Sequence, residues 1–216
     1  MIKPFSFRPN RRPNVIWIFG DQHRAQALGH RGDPNVFTPN IDNLARNGVR
    51  FDCAVSGAPW CSPFRGALLT GKYPHQNGVT QTPSALDPSI PTIANPFNDA
   101  GYHTAYIGKW HIDGSNKREH YVPPRRRGNF QYWMGYENNN NQEECYFYGT
   151  ESETPQRLKE YETNGLTTTL LNHLKKHSKK AKNYQPFFAV LSVQPPHGPY
   201  VPPTNPDYES LGIHPE

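Results

Sequence analysis

Val15-Ile16-Trp17-Ile18-Phe19, closed by Gly20-Asp21-Gln22-His23, is the stretch from which the fold is read. Five apolar residues in succession, β-branched and aromatic types among them, fit a strand buried on both faces, as in the middle of an α/β sheet. Downstream, Thr38 offers a helix cap, Pro39 a first helical residue and Gly48 a stop, which predicts a helix over 40–47. Residues 49–55 (VRFDCAV) alternate and predict a second strand. A short helix is expected over 64–71 after Pro63, and 91–100 reads as helical at either end with an interruption at Pro96. Gly101 leads into YHTAYIG, a third strand. Leu166 to Lys180 is amphipathic, with Leu166, Leu170, Leu171 and Leu174 assigned to one face, and it feeds a further buried strand, Phe187 to Val193. Strands alternating with helices predict an α/β domain, a mostly parallel central sheet flanked by helices.

Composition sets the bounds. A chain of 216 residues is one domain, or a tight pair, with room for a core. Aromatic residues at 12% argue against disorder. No apolar run approaches the ~18 residues of a membrane span, so no membrane partner is expected. The start, MIKPFSFRPNRRPN, is basic without the apolar centre of a signal peptide, which gives a cytoplasmic expectation. The net charge of +5 has one clear cluster, Arg125-Arg126-Arg127, read as a solvated loop rather than a nucleic-acid surface. Residues 112–156 show no period and read as a long irregular insertion. Cys53, Cys61 and Cys145 are an odd number at unrelated spacings, neither a disulfide framework nor a zinc pattern. Buried packing suits Cys53; Cys61 is the chemical candidate.

In such a sheet, ligands gather at the carboxyl ends of the strands. The expected strands end in Gly20-Asp21-Gln22-His23, in Gly108-Lys109-Trp110-His111 and in Gln194-Pro195-Pro196-His197, and the strand over 49–55 runs to Cys61. Cys61 sits where a helix begins, at a positive dipole end, with Arg65 one turn along as a planar donor for an oxyanion.

These residues carry a family likeness. Cys61-Ser62-Pro63-Phe64-Arg65, running on to Leu68-Leu69-Thr70-Gly71-Lys72-Tyr73-Pro74, resembles the signature of the sulfatases. Gly101-Tyr102-His103-Thr104 with Gly108-Lys109-Trp110-His111 resembles their second signature, and Thr38-Pro39-Asn40-Ile41-Asp42 to Phe51 resembles their first helix and following strand. The likeness covers most of 13–111 and returns around 187–200. It implies the alkaline phosphatase/sulfatase-like fold and a sulfuric ester hydrolase. Cys61 is then the residue that a formylglycine-generating maturation enzyme oxidises, the hydrated aldehyde acting as nucleophile. Asp21 and Gln22, with the converted Cys61, are implied as ligands of a divalent metal, Ca²⁺ ahead of Mg²⁺ or Mn²⁺ because the donors are hard oxygens. Arg65 holds the formylglycine, Lys109 the sulfate oxygens, His111 handles protons, and His197 lies near the leaving oxygen. The implied substrate is a sulfated small molecule or carbohydrate.

Three departures stand out. Phe64 replaces a usual small residue, and Gln22 replaces a second Asp, with one negative charge fewer. Family members are considerably longer, and no Asp-Asn or Asp-His pair follows residue 187, Asn205-Pro206-Asp207 being unlike one. The expectation is therefore an N-terminal catalytic portion of a sulfatase domain, incomplete at its C-terminal end. Two alternatives stay open. One is a phosphonate or phosphate ester hydrolase of the same superfamily, since phosphoryl and sulfuryl transfer use similar charge stabilisation; the other is a truncated, non-catalytic binding module.

Overall fold

The computed structural model describes residues 12–180 and 184–203. In chain order its elements are β1 (Val15–Gly20), α1 (Pro39–Asn47), α2 (Cys61–Thr70), α3 (Pro74–Asn77), α4 (Ala94–Asp99), β2 (His103–Lys109), β3 (Tyr132–Tyr136), β4 (Tyr146–Phe147), β5 (Gln156–Arg157), α5 (Glu162–Lys180) and β6 (Phe187–Val193). Four strands form one parallel sheet in the order β1-β6-β2-β3, and β4 with β5 makes a small antiparallel ribbon. Parallel neighbours need crossover connections; α1 to α4 lie in the one from β1 to β2 and α5 in the one from β3 to β6, while β2 reaches β3 through residues 110–131, which hold no α-helix.

Strand alternation divides the core in two. Val15, Trp17 and Phe19 of β1, Tyr106 of β2, Trp133 of β3 and Phe188 and Val190 of β6 face a layer that includes Leu69 of α2 and Ala94 and Phe97 of α4. The intervening residues, Ala105 and Ile107, Met134 and Tyr136, Ala189 and Leu191, face Leu166, Leu170 and Leu174 of α5. This is an α/β/α sandwich, as the alternating pattern predicts. Each fully buried large apolar side chain contributes about 1.5–3 kcal/mol, so these layers dominate the stability.

The backbone comes closest at Gly108, which faces Ser192 on β6 and Gly135 on β3. Gly108 has φ +110°, and a Cβ there would lie 2.0 Å from the Ser192 carbonyl oxygen. Only glycine fits between these strands.

Several local expectations need correction. β1 lies at the sheet edge among the described strands, and Ile18 on its second face is 61% exposed because α5 covers β6 and β2 but not β1. Residues 49–55 form no strand. Val49, Phe51 and Val55 are exposed, and alternation without a neighbouring strand has nothing to pair with. Helix α2 begins at Cys61 rather than 64, and Pro96 sits in the first turn of α4, where its missing N–H costs nothing, so no interruption occurs. Leu171 is half exposed, off the face that carries Leu166 and Leu170. The stretch 112–156 contains β3, with Trp133 and Tyr136 fully buried. In the Arg cluster only Arg125 is solvated. Arg126 pairs with Asp113, and buried Arg127 donates to the carbonyls of Val122 and Thr150 at 2.8 Å while stacking on Trp133. Cys53 is exposed and Cys145 is the buried thiol. Asn205-Pro206-Asp207 and the basic N-terminal stretch before Arg12 lie outside the described residues.

Candidate active site

The carboxyl ends of β1, β2 and β6 meet the N-terminus of α2. Asp21 follows β1, its backbone N–H donating to the Val193 carbonyl at 3.0 Å, which fixes its place beside the end of β6. Lys109 is the last residue of β2, fully buried, and its Nζ donates to Asp21 Oδ2 at 2.6 Å. Arg65, on the second turn of α2 and also buried, approaches the same oxygen at 3.4 Å. The Cys61 thiol donates to Asp21 Oδ1 and Oδ2 at 3.3 and 3.4 Å. One carboxylate therefore receives two cations and a thiol.

The arginine is locked from behind. Its Nη1 donates to the Lys109 carbonyl at 2.6 Å and to Ser192 Oγ at 2.7 Å, while the Ser192 and Tyr106 hydroxyls donate to that same carbonyl at 2.9 and 2.5 Å. The guanidinium lies 5.6 Å from the centre of the Phe19 ring, and Phe64 meets Phe19 edge-on. The bulky Phe64 thus packs against Phe19 of β1. Asp21, Gln22, Trp60, Cys61, Phe64 and Arg65 line a cavity of about 660 Å³.

Electrostatics follow from this packing. Burial pushes the Asp21 carboxyl up, but the charges of Arg65 and Lys109 and the donors on it reverse this and hold it at about 2. Burial first, then the Arg65 charge, lowers the Lys109 ammonium. Burial first, then the Lys109 and Arg65 charges, holds His111 at about 3, so its imidazole is neutral at physiological pH. Neither of its ring nitrogens has a hydrogen-bond partner among the described residues, the Asn116 side chain falling short of one while still pulling the value up. Burial raises the Cys61 thiol, and Asp21 adds to this, so the sulfur is protonated and a poor nucleophile as it stands.

Metal ligation was tested on the donor set. Asp21, Cys61 and His197 each place a ligand atom within 4.8 Å of the others, the one such group of three among the described His, Cys, Asp and Glu residues. Gln22, with φ +59°, turns away from the strand direction and lines the same cavity. The carboxylate and amide oxygens suit a hard cation; a protonated thiol does not, and an oxygen at position 61 would complete the fit.

His197 sits in the turn after β6, with Nδ1 2.6 Å from the Gly198 carbonyl. That turn is held by residues that sequence reasoning missed. Glu162, fully buried at the start of α5, accepts from the Tyr136 hydroxyl at 2.6 Å and from the Gln194 N–H at 2.7 Å. Its own N–H donates to the Gln142 carbonyl, and the Gln142 amide donates to the His197 carbonyl at 3.1 Å. Gln194 in turn donates to Asn140 at 2.7 Å. Ser192, which holds Arg65, shows in the sequence as a lone hydroxyl inside FFAVLSV; the residues that hold the turn carry no such signal.

A family model described as Sulfatase matches residues 13–211. This chain belongs to the sulfatase family. It is 39% identical over 189 residues to the ulvan-active sulfatase of Formosa agariphila, covering 88% of this chain and 36% of the relative. It is 33% identical over 222 residues to the endo-4-O-sulfatase of Bacteroides thetaiotaomicron, covering 87% and 43%. A solved structure in complex with its substrate D-glucosamine-2-N,6-O-disulfate superimposes with a TM-score of 0.75 at 29% identity, covering 89% of this chain and 36% of that one. The chain thus spans less than half the length of these sulfatases.

Proposed function

We propose that this chain forms the nucleophile-bearing part of a sulfatase that hydrolyses sulfate monoesters of carbohydrates. The observation that carries the reading is the meeting of Cys61, Asp21, Arg65 and Lys109 at one carboxylate, with both cations buried. One carboxylate against two basic side chains, Arg65 and Lys109, leaves a net positive pocket, which attracts a sulfate anion and stabilises charge that grows as sulfur is attacked. The carbohydrate class is supported by the sugar disulfate held by the similar structure.

Cys61 is the site of oxidation to formylglycine by a maturation enzyme; its protonated thiol is otherwise idle. Hydrated, that group supplies one hydroxyl to attack sulfur and a second whose deprotonation expels sulfate and restores the aldehyde. Asp21, Gln22 and residue 61 would hold the divalent metal, with Ca²⁺ suited to their oxygens, and the metal would add positive charge at the sulfate. Arg65, immobilised by Ser192 and the Lys109 carbonyl, orients residue 61. Lys109 binds sulfate oxygens. His111 would handle protons at the sulfate, and His197 would serve the leaving oxygen.

The test is peptide mass spectrometry across residues 50–72 after production with a formylglycine-generating enzyme. The aldehyde at position 61 is expected; free thiol alone would sink the mechanism. In the gene product that carries this sequence, Cys61→Ala is expected to abolish turnover of an aryl sulfate, and retained activity would refute the nucleophile.

A further inference from the structure

A second group of histidines lies at the opposite end of the sheet. His103 opens β2 and Lys109 ends it, so at ~3.3 Å per residue the two are about 20 Å apart. His103 Nε2 lies 2.9 Å from His173 Nε2 on α5. His177, one turn further along α5, stacks on His103 with ring centres 4.4 Å apart and planes 13° from parallel. Tyr132 stacks on the other side of His173 at 3.7 Å. These residues line a cavity of about 670 Å³ that is separate from the one beside Cys61, with Gln131 and Glu151 also in its wall.

We propose that His103 and His173 form a surface site for a divalent transition cation of the zinc class. Three observations support it. The Nδ1 of His103 faces Gln131 Oε1 at 3.1 Å, so this nitrogen carries the proton and Nε2 presents a lone pair. That is the arrangement that fixes a metal-binding imidazole: one nitrogen donating to a carbonyl, the other turned to the cation. Gln131 is itself seated by its backbone N–H on Thr104 Oγ1 at 3.1 Å. Two nitrogens bound tetrahedrally at ~2.0–2.1 Å are about 3.3 Å apart, so on binding the pair parts by about 0.4 Å and the rings turn so that both lone pairs point to the cation. The stacked rings of His177 and Tyr132 hold both planes in place.

The proton balance is closed. Without metal, His173 Nε2–H donates to His103 Nε2; on binding, that proton moves to His173 Nδ1, the ring stays neutral, and no proton is released. Imidazole donors select zinc, copper or nickel over calcium or magnesium, so the site does not duplicate the oxygen-rich one at Asp21. Water completes the coordination, and Glu151 is within the same cavity wall. Lys176, also in that wall, opposes a cation and limits the affinity.

The experiment is a Zn²⁺ titration of the chain near neutral pH, followed by the histidine side-chain ¹H–¹⁵N NMR spectrum. Zn²⁺ is expected to move the Nε2 resonances of His103 and His173 while His103 Nδ1 keeps its proton. His103→Ala and His173→Ala are each expected to weaken this binding at least tenfold. Gln131→Leu keeps both ligands and the fold, and is expected to weaken binding up to about tenfold through loss of the orienting carbonyl. Unmoved Nε2 resonances, or unchanged Zn²⁺ affinity in both alanine variants, would overturn the proposal. None of these readouts depends on sulfatase turnover, so failure here leaves the reading of Cys61 intact.

Discussion

β1 and β2 both deliver a site residue from their carboxyl ends, yet they are built differently. β2 lies between β6 and β3, and every residue from Thr104 to Lys109 is buried. Among the described strands β1 lies at the edge, half-buries one face and exposes Ile16 and Ile18 on the other. The site therefore joins a rigid interior position, Lys109, to a boundary position, Asp21. The interior strand tolerates no change in shape, whereas the edge strand tolerates change on its open face. An apolar edge left open is also a surface for association.

The contrast can be pressed hardest at Gly108. Gly108→Ala is expected to cost about 3 kcal/mol or more, or to prevent folding, since the new Cβ meets the Ser192 carbonyl and the backbone is in the left-handed half of φ space. A denaturant midpoint close to the parent's would show that β2 is less tightly held than described. Lys109→Met comes next, at about 3 kcal/mol, because a buried carboxylate loses its nearest cation; Arg65 and the thiol remain on Asp21 and keep the loss at the low end of the range. Chemical denaturation of both proteins checks it.

Glu162 gives a pH-dependent effect. Burial raises its carboxyl to about 7, from about 4.5 for a freely exposed glutamate. A raised carboxyl is favourable when protonated, so its contribution is intact below about 4.5 and is lost as pH rises through about 7. Glu162→Gln keeps an oxygen for the Tyr136 hydroxyl and the Gln194 N–H. It is expected to stabilise the chain by about 1–3 kcal/mol more at pH ~8 than at pH ~5, measured by denaturation at the two pH values. Equal effects at both would assign no titration to this group. The smallest expected effect belongs to the edge: Ile18→Lys changes stability by less than about 0.5 kcal/mol while lowering self-association in sedimentation velocity. A large loss of stability would mean that Ile18 is packed rather than open.

These regions differed in legibility for physical reasons. β1, β2, β6 and α5 announce themselves because a buried parallel strand is a continuous apolar run and a covering helix carries a leucine stripe. Asp21 and Lys109 stood out because polar residues at strand ends break those runs, and Cys61 and Arg65 because they open a helix, α2, in a recognisable motif. β3 was hidden: Trp133, Met134 and Tyr136 are interrupted by Gly135, which is small only because Gly108 and Trp133 crowd it. Residues 49–55 misled because alternation describes one strand's faces and says nothing about whether a neighbour exists. Arg127 and Cys53 misled because burial of a charge or exposure of a thiol depends on carbonyls and loops far away in sequence. The brace from Glu162 through Gln142 to His197 includes a contact between residues 55 positions apart, Gln142 and His197, and left no local trace.

The strand order β1-β6-β2 also bears on synthesis. β6, made last of the four, lies between the strands that carry Asp21 and Lys109, so those two residues flank a gap until it arrives. A ribosome that has released residues 1–180 has delivered both partners of the ion pair, together with Cys61 and Arg65, but not the strand that brings them into register. The charges close on one another only when Phe187–Val193 inserts, and Ser192 arrives with it to fix the arginine. Assembly of the pocket is therefore a late and long-range event, coupled to completion of the sheet rather than to formation of any one motif.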